Sequence, residues 1–369
     1  MYNIIEGTMS NIKRRKTREI SVGDVKIGNA NQISIQSMLS VPTVDVQASV
    51  DQLFRLSSAG CDIVRLGVPD EASALALAEI KRLSPLPIIA DIHFNYKLAL
   101  IALESGVDGL RLNPGNISNL NHVKDVIKAT KERNVPIRIG VNAGSLNPHK
   151  YPHPTAEAMV ESSFEHIKLL EDLDFQDIKI SFKSSNVLTM IEANRLFATR
   201  CNYPIHLGVT EAGDGMQAVV KNAIGMGTLL QEGIGDTLRV SITGDVVQEV
   251  EAGRFILRSL GLRQEGIEII SCPTCARVEY DVLEAVHAFK EKTNQIKSYI
   301  RVAIMGCVVN GPGEAREADL GIAVGKTSAV LFRKGEVIGK YSKDEMLVAL
   351  LEETLALDKI KQEEVKNDD

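Results

Sequence analysis

Cys272 and Cys275 bracket Pro273 and Thr274, and a third cysteine, Cys307, stands in Gly306-Cys307-Val308-Val309-Asn310-Gly311-Pro312-Gly313-Glu314. Glu314 adds a candidate fourth, acidic ligand. An iron–sulfur cluster held by three thiolates has one iron that can exchange a weak ligand for substrate, so this set suggests chemistry at the metal as well as electron storage. A Cys-x-x-Cys pair alone would also fit zinc or a thioredoxin-like dithiol. A dithiol switch has no use for the third thiol. Zinc held by three cysteines and an acid or histidine stays open, with His287 as another candidate ligand, although His287 lies in a helical stretch where packing or solvation also explains it.

A second set of reactive side chains recurs at the ends of short apolar runs. In chain order these ends present Gln36 and Ser37, Arg65, Asp91 and His93, Arg111 and Asn113, Arg138 and Asn142, Lys183, Thr210 and Glu211, and Arg239 and Ser241. Buried arginines are rare unless something pairs them. Guanidinium forks match phosphate oxygens bidentately, so four arginines and Lys183 converging on one mouth would suit a ligand with more than one phosphate. The competing explanation is internal pairing with Asp91, Glu211 or other rim carboxylates.

Both sets need elements to hold them. The runs Gln32–Gln36, Asp62–Leu66, Pro87–Asp91, Gly109–Leu112, Pro136–Val141, Asp177–Phe182, Pro204–Val209 and Thr237–Ile242 read as strands. Helical periodicity fills intervals such as Val46–Ala59, Ala72–Leu83, Leu120–Arg133, Thr155–Leu173 and Val246–Leu260. Eight β-then-α units over about 230 residues predict an α/β fold, a (β/α)8 TIM barrel, in preference to a doubly wound open sheet. The expected organisation is an N-terminal segment at 1–31, the barrel at 32–262, an α+β metal-binding module at 263–358 and a charged, frayed tail at 359–369. In the module, strands at Ile267–Ile270 and Ile300–Met305 lead into Cys272 and Cys307 and could deliver them side by side. Further strands are expected at Leu320–Val324 and Val330–Arg333, with helices at Asp281–Lys290 and Glu345–Leu357.

Composition narrows the partners. A net charge of −6 over 369 residues argues against a general nucleic-acid binder. No apolar run is long enough to span a membrane, and the basic N-terminus has no apolar segment behind it, so no secretory signal is expected. Five cysteines without such a signal favour reduced thiols and a cytoplasmic home. Cys61 and Cys201 read as packed thiols. Some motifs fail: Gly321-Ile322-Ala323-Val324-Gly325-Lys326-Thr327 has too few residues between its glycines for a phosphate loop, and Gly225-Met226-Gly227 is no dinucleotide fingerprint.

The chain resembles the bacterial (E)-4-hydroxy-3-methylbut-2-enyl diphosphate synthases of the non-mevalonate isoprenoid pathway. The motifs that carry the resemblance are Gln36-Ser37-Met38, Val64-Arg65-Leu66-Gly67, Ala90-Asp91-Ile92-His93-Phe94, Arg111-Leu112-Asn113-Pro114-Gly115 and Arg138-Ile139-Gly140-Val141-Asn142. They continue through Ser181-Phe182-Lys183, Gly208-Val209-Thr210-Glu211-Ala212-Gly213 and Arg239-Val240-Ser241 to the cysteine motifs.

The resemblance implies a [4Fe–4S] cluster on Cys272, Cys275, Cys307 and, without substrate, Glu314. It implies a cyclic diphosphate substrate held by Arg65, Arg111, Arg138 and Lys183, with Arg239 and Ser241 nearby, and Asn113 and Asn142 complete the expected site. Glu211 would be an acid/base group. Flavodoxin or ferredoxin would supply electrons, and a homodimer would bring the cluster module of one subunit to the partner's barrel. A non-redox phosphate-ester barrel enzyme with a structural zinc is the rival reading. A pure electron carrier would leave the cationic mouth without a purpose.

Overall fold

In the computed structural model, which describes residues 12–117, 119–307 and 315–368, the chain forms two compact units dividing between Arg263 and Gln264. The first opens with an antiparallel hairpin, β1 (Ile20–Val22) and β2 (Val25–Ile27), within the stretch expected only as an N-terminal segment. Then follow the barrel strands: β3 (Ser34–Met38), β4 (Ile63–Gly67), β5 (Ile88–Asp91), β6 (Gly109–Arg111), β7 (Ile137–Asn142), β8 (Ile178–Lys183), β9 (His206–Leu207) and β10 (Thr237–Leu238). All pair in parallel, in the order β8-β7-β6-β5-β4-β3-β10-β9. An isolated parallel bridge between Ile180 and Ile205 joins the two ends, so the ring closes. This is the eight-stranded TIM barrel expected.

The alternation of side chains along a strand explains the layering. Ile178, Ile180 and Phe182 point outward into the main core, and Lys179, Ser181 and Lys183 occupy the opposite, inward positions. The outer faces are covered by α1 (Val46–Ser58), α2 (Glu71–Leu83), α3 (Tyr96–Glu104), α4 (Leu120–Arg133), α5 (Ala156–Glu171), α6 (Val187–Arg200), α7 (Gly215–Gln231) and α8 (Val246–Ser259). Seven of these helices start on an Asp, Asn or Thr whose side chain accepts from a first-turn N–H: Asp45, Asp70, Asn95, Asn119, Thr155, Asn186 and Asp245. Each such cap contributes about 1 kcal/mol. Because each helix begins just beyond a strand's C-terminal end, these positive helix termini share that side of the barrel with the strand-end cations.

Two strands are much shorter than their apolar runs. β9 and β10 have two residues each, where six each were expected. Beyond β10, side chains take over from the ladder. The Ser241 N–H donates to Asn222 Oδ1 at 3.3 Å, Asn222 Nδ2 donates to Ser241 O at 3.0 Å, and the Ile242 N–H donates to Glu249 Oε1 at 3.1 Å.

The second unit is a five-stranded sheet in sequential order: β11 (Ile267–Ser271), β12 (Ile300–Met305), β13 (Leu320–Val324), β14 (Ala329–Arg333) and β15 (Glu336–Tyr341). The first three are parallel and the last two antiparallel. Ile300, Val302 and Ile304 pack with α9 (Val282–Thr293) and α10 (Met346–Asp368), while Ala303 and Met305 join Phe332 in a separate small core. β15 was not anticipated, since its largely exposed residues give no apolar alternation. The charged tail is not frayed: α10 continues through it to Asp368. Lys361 reaches back to donate to Tyr299 O at 2.6 Å, and Gln362 donates to Asp358 at 2.8 Å, tying that stretch down.

Candidate functional site

Arg65 in β4, Asp91 at the end of β5, Arg111 at the end of β6 and Lys183 at the end of β8 are all buried. Asp91 stands between two of the arginines, with Arg65 Nε 3.3 Å from Oδ2 and Arg111 Nη1 3.3 Å from Oδ1. Arg111 Nη1 also lies 3.2 Å from His93 Nδ1. Burial alone would raise the Asp91 carboxyl, but Arg65, Arg111 and Arg138 together hold it below its ordinary value.

Arg138 departs from expectation. It is the second residue of β7, near the strand's start, in register with Arg111 on one side and Lys179 on the other. Arg138 is 3% exposed, and Nε and Nη1 have no hydrogen-bond partner. Burial and the charges of Arg65 and Arg111 push its pKa well down, and Lys183 is pushed down by burial and by Arg138. Burial also lowers Arg65, to about 10. Such groups cost free energy until an anion compensates them.

The pairing explanation holds for only part of the set. Asp91 serves Arg65 and Arg111, and Glu249 from α8 takes Arg239, with Nη2 to Oε1 at 2.8 Å and Nε to Oε2 at 3.2 Å. Ser37 Oγ donates to the same Glu249 at 3.3 Å. Arg138 and Lys183 have no carboxylate partner among the described residues.

The remaining expected residues separate. Asn113 is engaged on both ends by the backbone, donating to Gly140 O at 2.8 Å and accepting from the Gly140 N–H at 2.9 Å, so its amide joins β6 to β7. Asn142 ends β7 and is half-buried. Ser241 is half-buried and held through its backbone by Asn222. Glu211 is exposed with φ at 52°, and the carboxylates paired to the cations are Asp91 and Glu249 instead.

Sequence reasoning missed Glu249 and Asn222. A signal for Glu249 existed: it lies on the stripe Val246, Val250, Gly253 and Leu257 of α8, where an acid has no place unless a cation waits opposite. Asn222 breaks the buried stripe of α7 in the same way.

In the second unit, parallel β11 and β12 run in register with Ser271 opposite Ile304, so Cys272 and Cys307 emerge from neighbouring strand ends as expected. The Gly306 N–H donates to Cys272 Sγ at 3.2 Å, and the Glu279 N–H donates to Gly306 O at 2.9 Å, which ties the two loops together. Arg277 hydrogen-bonds Cys275, and the charges of Cys275 and Cys307 both raise its pKa. The backbone and guanidinium of Arg277 in turn lower the Cys275 thiol. All five cysteines are free thiols.

Among the described residues no three His, Cys, Asp or Glu side chains form a ready metal site, and Glu314 lies outside the described residues. The donor set suits a cluster. Three thiols, a backbone N–H aimed at sulfur and a nearby cation are what thiolate ligation of iron uses. His287 is on α9, away from these loops in sequence.

Comparison with known proteins decides the family. Residues 17–254 match the GcpE TIM-barrel domain and residues 268–356 the GcpE protein C-terminal domain. The chain belongs to the GcpE family. A 4-hydroxy-3-methylbut-2-en-1-yl diphosphate synthase (flavodoxin) of Clostridium perfringens (strain 13 / Type A) is 52% identical to this GcpE protein, over 92% of this chain and 98% of the relative. The same-named protein of Nautilia profundicola is 54% identical, over 93% of this chain and 98% of its own. A Plasmodium falciparum HPPK-DHPS structure with pterin and p-hydroxybenzoate shares the fold alone. It has a TM-score of 0.50 at 16% identity and covers 66% of this chain and 48% of that one. No helix among the described residues is long and apolar enough to cross a membrane.

Proposed function

We propose that the buried cations of this GcpE-family enzyme hold the two phosphates of a cyclic substrate, and that Cys272, Cys275 and Cys307, with Glu314, hold a [4Fe–4S] cluster. The enzyme is an oxidoreductase of isoprenoid precursor biosynthesis. It converts 2-C-methyl-D-erythritol 2,4-cyclodiphosphate to (E)-4-hydroxy-3-methylbut-2-enyl diphosphate. Two electrons and two protons enter, a carbon–oxygen bond of the ring breaks, and one water leaves. The cluster, when bound, supplies the electrons one at a time and a Lewis-acidic iron.

The chain's own residues do the rest. Arg138 and Lys183, buried without carboxylates, gain most from a polyanion, and that observation carries the reading. Arg65 and Arg111 are already aligned by Asp91, so they add oriented donors at little further ordering cost. Arg239, fixed by Glu249, with Ser241 beside it in sequence and Asn142 at the end of β7, completes the binding set. Asn113 supports it by locking the β6–β7 seam. Glu211, exposed just beyond β9, is the proton donor.

Flavodoxin is the electron donor named for the relatives, and ferredoxin is the chemical alternative. The resemblance further supports a cytoplasmic homodimer, in which one subunit's thiols serve the partner's cations.

The test is iron and acid-labile sulfide content of protein purified without oxygen, followed by a substrate assay with reduced flavodoxin. About four irons and four sulfides per chain, with turnover, are expected. Cys307→Ser should lose both, and Arg65→Ala should keep the iron but raise KM. Stoichiometric zinc without sulfide would overturn the reading.

A further inference from the structure

Beneath the cations, the barrel interior holds polar groups that the proposed reaction does not use. Lys179 is 2% exposed, and among the described residues its Nζ has no hydrogen-bond partner. His206 is fully buried, with Nδ1 3.4 Å from Thr237 Oγ1 and Nε2 unpartnered. Ser34 Oγ, Ser181 Oγ and both amide atoms of Gln36 are likewise buried and unpartnered. Buried polar atoms in such number are normally satisfied, so a column with hydrogen bonds to spare under a ligand site calls for a role.

Lys179 occupies the inward position of β8 directly in register with Arg138 of β7. Besides Arg138, the charge that acts on it is Asp236 just before β10, while His206 on β9 lies between Lys179 and Lys183 of β8 and feels both. Among the described residues Asp236 is the sole carboxylate acting on Lys179, and it is already engaged. It accepts from the Ile205 N–H at 2.9 Å and Thr17 Oγ1 at 3.0 Å, and pairs with Arg14 at 3.2 Å.

We propose that Lys179 is the proton acceptor of the substrate site: it is neutral under the unliganded cations and takes up a proton when an anion binds above it. Burial and the adjacent Arg138 charge bring its ammonium down to about 7 in the free protein. An anion on Arg138 and Lys183 cancels the repulsion and makes the ammonium favourable again. Between about pH 7 and the raised value, binding therefore consumes a proton, and affinity falls as pH rises, by up to about tenfold per unit for one full proton. The inference rests on the diphosphate reading of the site above.

The cyclic diphosphate suits the experiment, because each ring phosphorus carries one strongly acidic oxygen and the ligand itself does not titrate near neutrality. Its binding to oxidised, cluster-loaded enzyme without reductant is measured calorimetrically at about pH 8, in two buffers of different ionisation enthalpy. The expected result is proton uptake that shrinks in Lys179→Met and in Lys179→Gln, with a flatter pH dependence of Kd in both. Binding with no proton uptake by the wild type overturns the proposal whatever the variants do. Uptake that persists undiminished in either folded variant also overturns it and assigns the proton to Lys183, the anion site standing in both cases. Absence of binding removes the anion site, and this inference with it.

Discussion

Arg138 is the side chain with most to gain from a ligand and least to lose from removal. It brings a guanidinium into the interior without a carboxylate of its own among the described residues. Replacing a buried unpaired charge by an apolar group of similar length is often neutral or stabilising. Arg138→Met should therefore leave the melting temperature of the ligand-free protein unchanged or higher. KM for the cyclic diphosphate should rise on the order of tenfold to a hundredfold, the worth of a charged hydrogen bond. A lowered melting temperature with unchanged KM would mark Arg138 as structural.

Glu249→Gln should do the opposite. It leaves Arg239 facing a neutral amide, and a denaturant titration should show a loss of about 3 kcal/mol, as when one partner of a buried pair is removed. The cations were legible in the sequence because each stands beside an apolar run. The acids that orient them were less so. Asp91 shares a strand end with them, but Glu249 lies on a helix ten residues beyond Arg239, where the sequence reads as a plain amphipathic stripe, and only folding reveals the pair.

Glycine decides how closely the strands and side chains approach. At Gly140 a Cβ would stand 3.0 Å from Arg111 Nε and 3.4 Å from Ser181 Oγ. The obstacle is a flexible side chain, so Gly140→Ala should fold normally but displace Arg111 and weaken substrate binding. At Gly321 in β13 a Cβ would lie 2.4 Å from Phe332 Cζ and 2.7 Å from Ala303 Cβ, inside the small core of the second unit. Gly321→Ala should destabilise that unit by about 1–3 kcal/mol, since packed rings yield poorly. Melting curves and KM measured on both variants separate the two outcomes. The alternation of strand and helix was legible because period 2 and period 3.6 differ plainly. The true length of β10 was not, because Asn222 and Glu249 end its ladder from other elements.

At the scale of the whole chain, a barrel lined with depressed amines gains stability as pH rises. Lys179 falls from its ordinary 10.5 to about 7, and Lys183 falls as well. Above about pH 7 the unfolded chain holds protons there that the folded chain does not, so stability rises with pH through that window. Thermal melts of ligand-free protein at low salt should show a higher midpoint at about pH 9 than at about pH 7, with a smaller gain in Lys179→Met. A midpoint that falls equally in both proteins would exclude neutral amines in the core.

The hairpin of β1 and β2 gives this interior its second property. Ile20, Val22 and Ile27 pack on Ile63 and Ile89 near the starts of β4 and β5, while Arg14 and Arg15 fasten the preceding segment to Gly235, Cys201 and Tyr203. The hairpin thus covers the floor of the barrel beneath β4 and β5. A proton that Lys179 takes up as the anion arrives is therefore shielded by the hairpin from exchange through that floor.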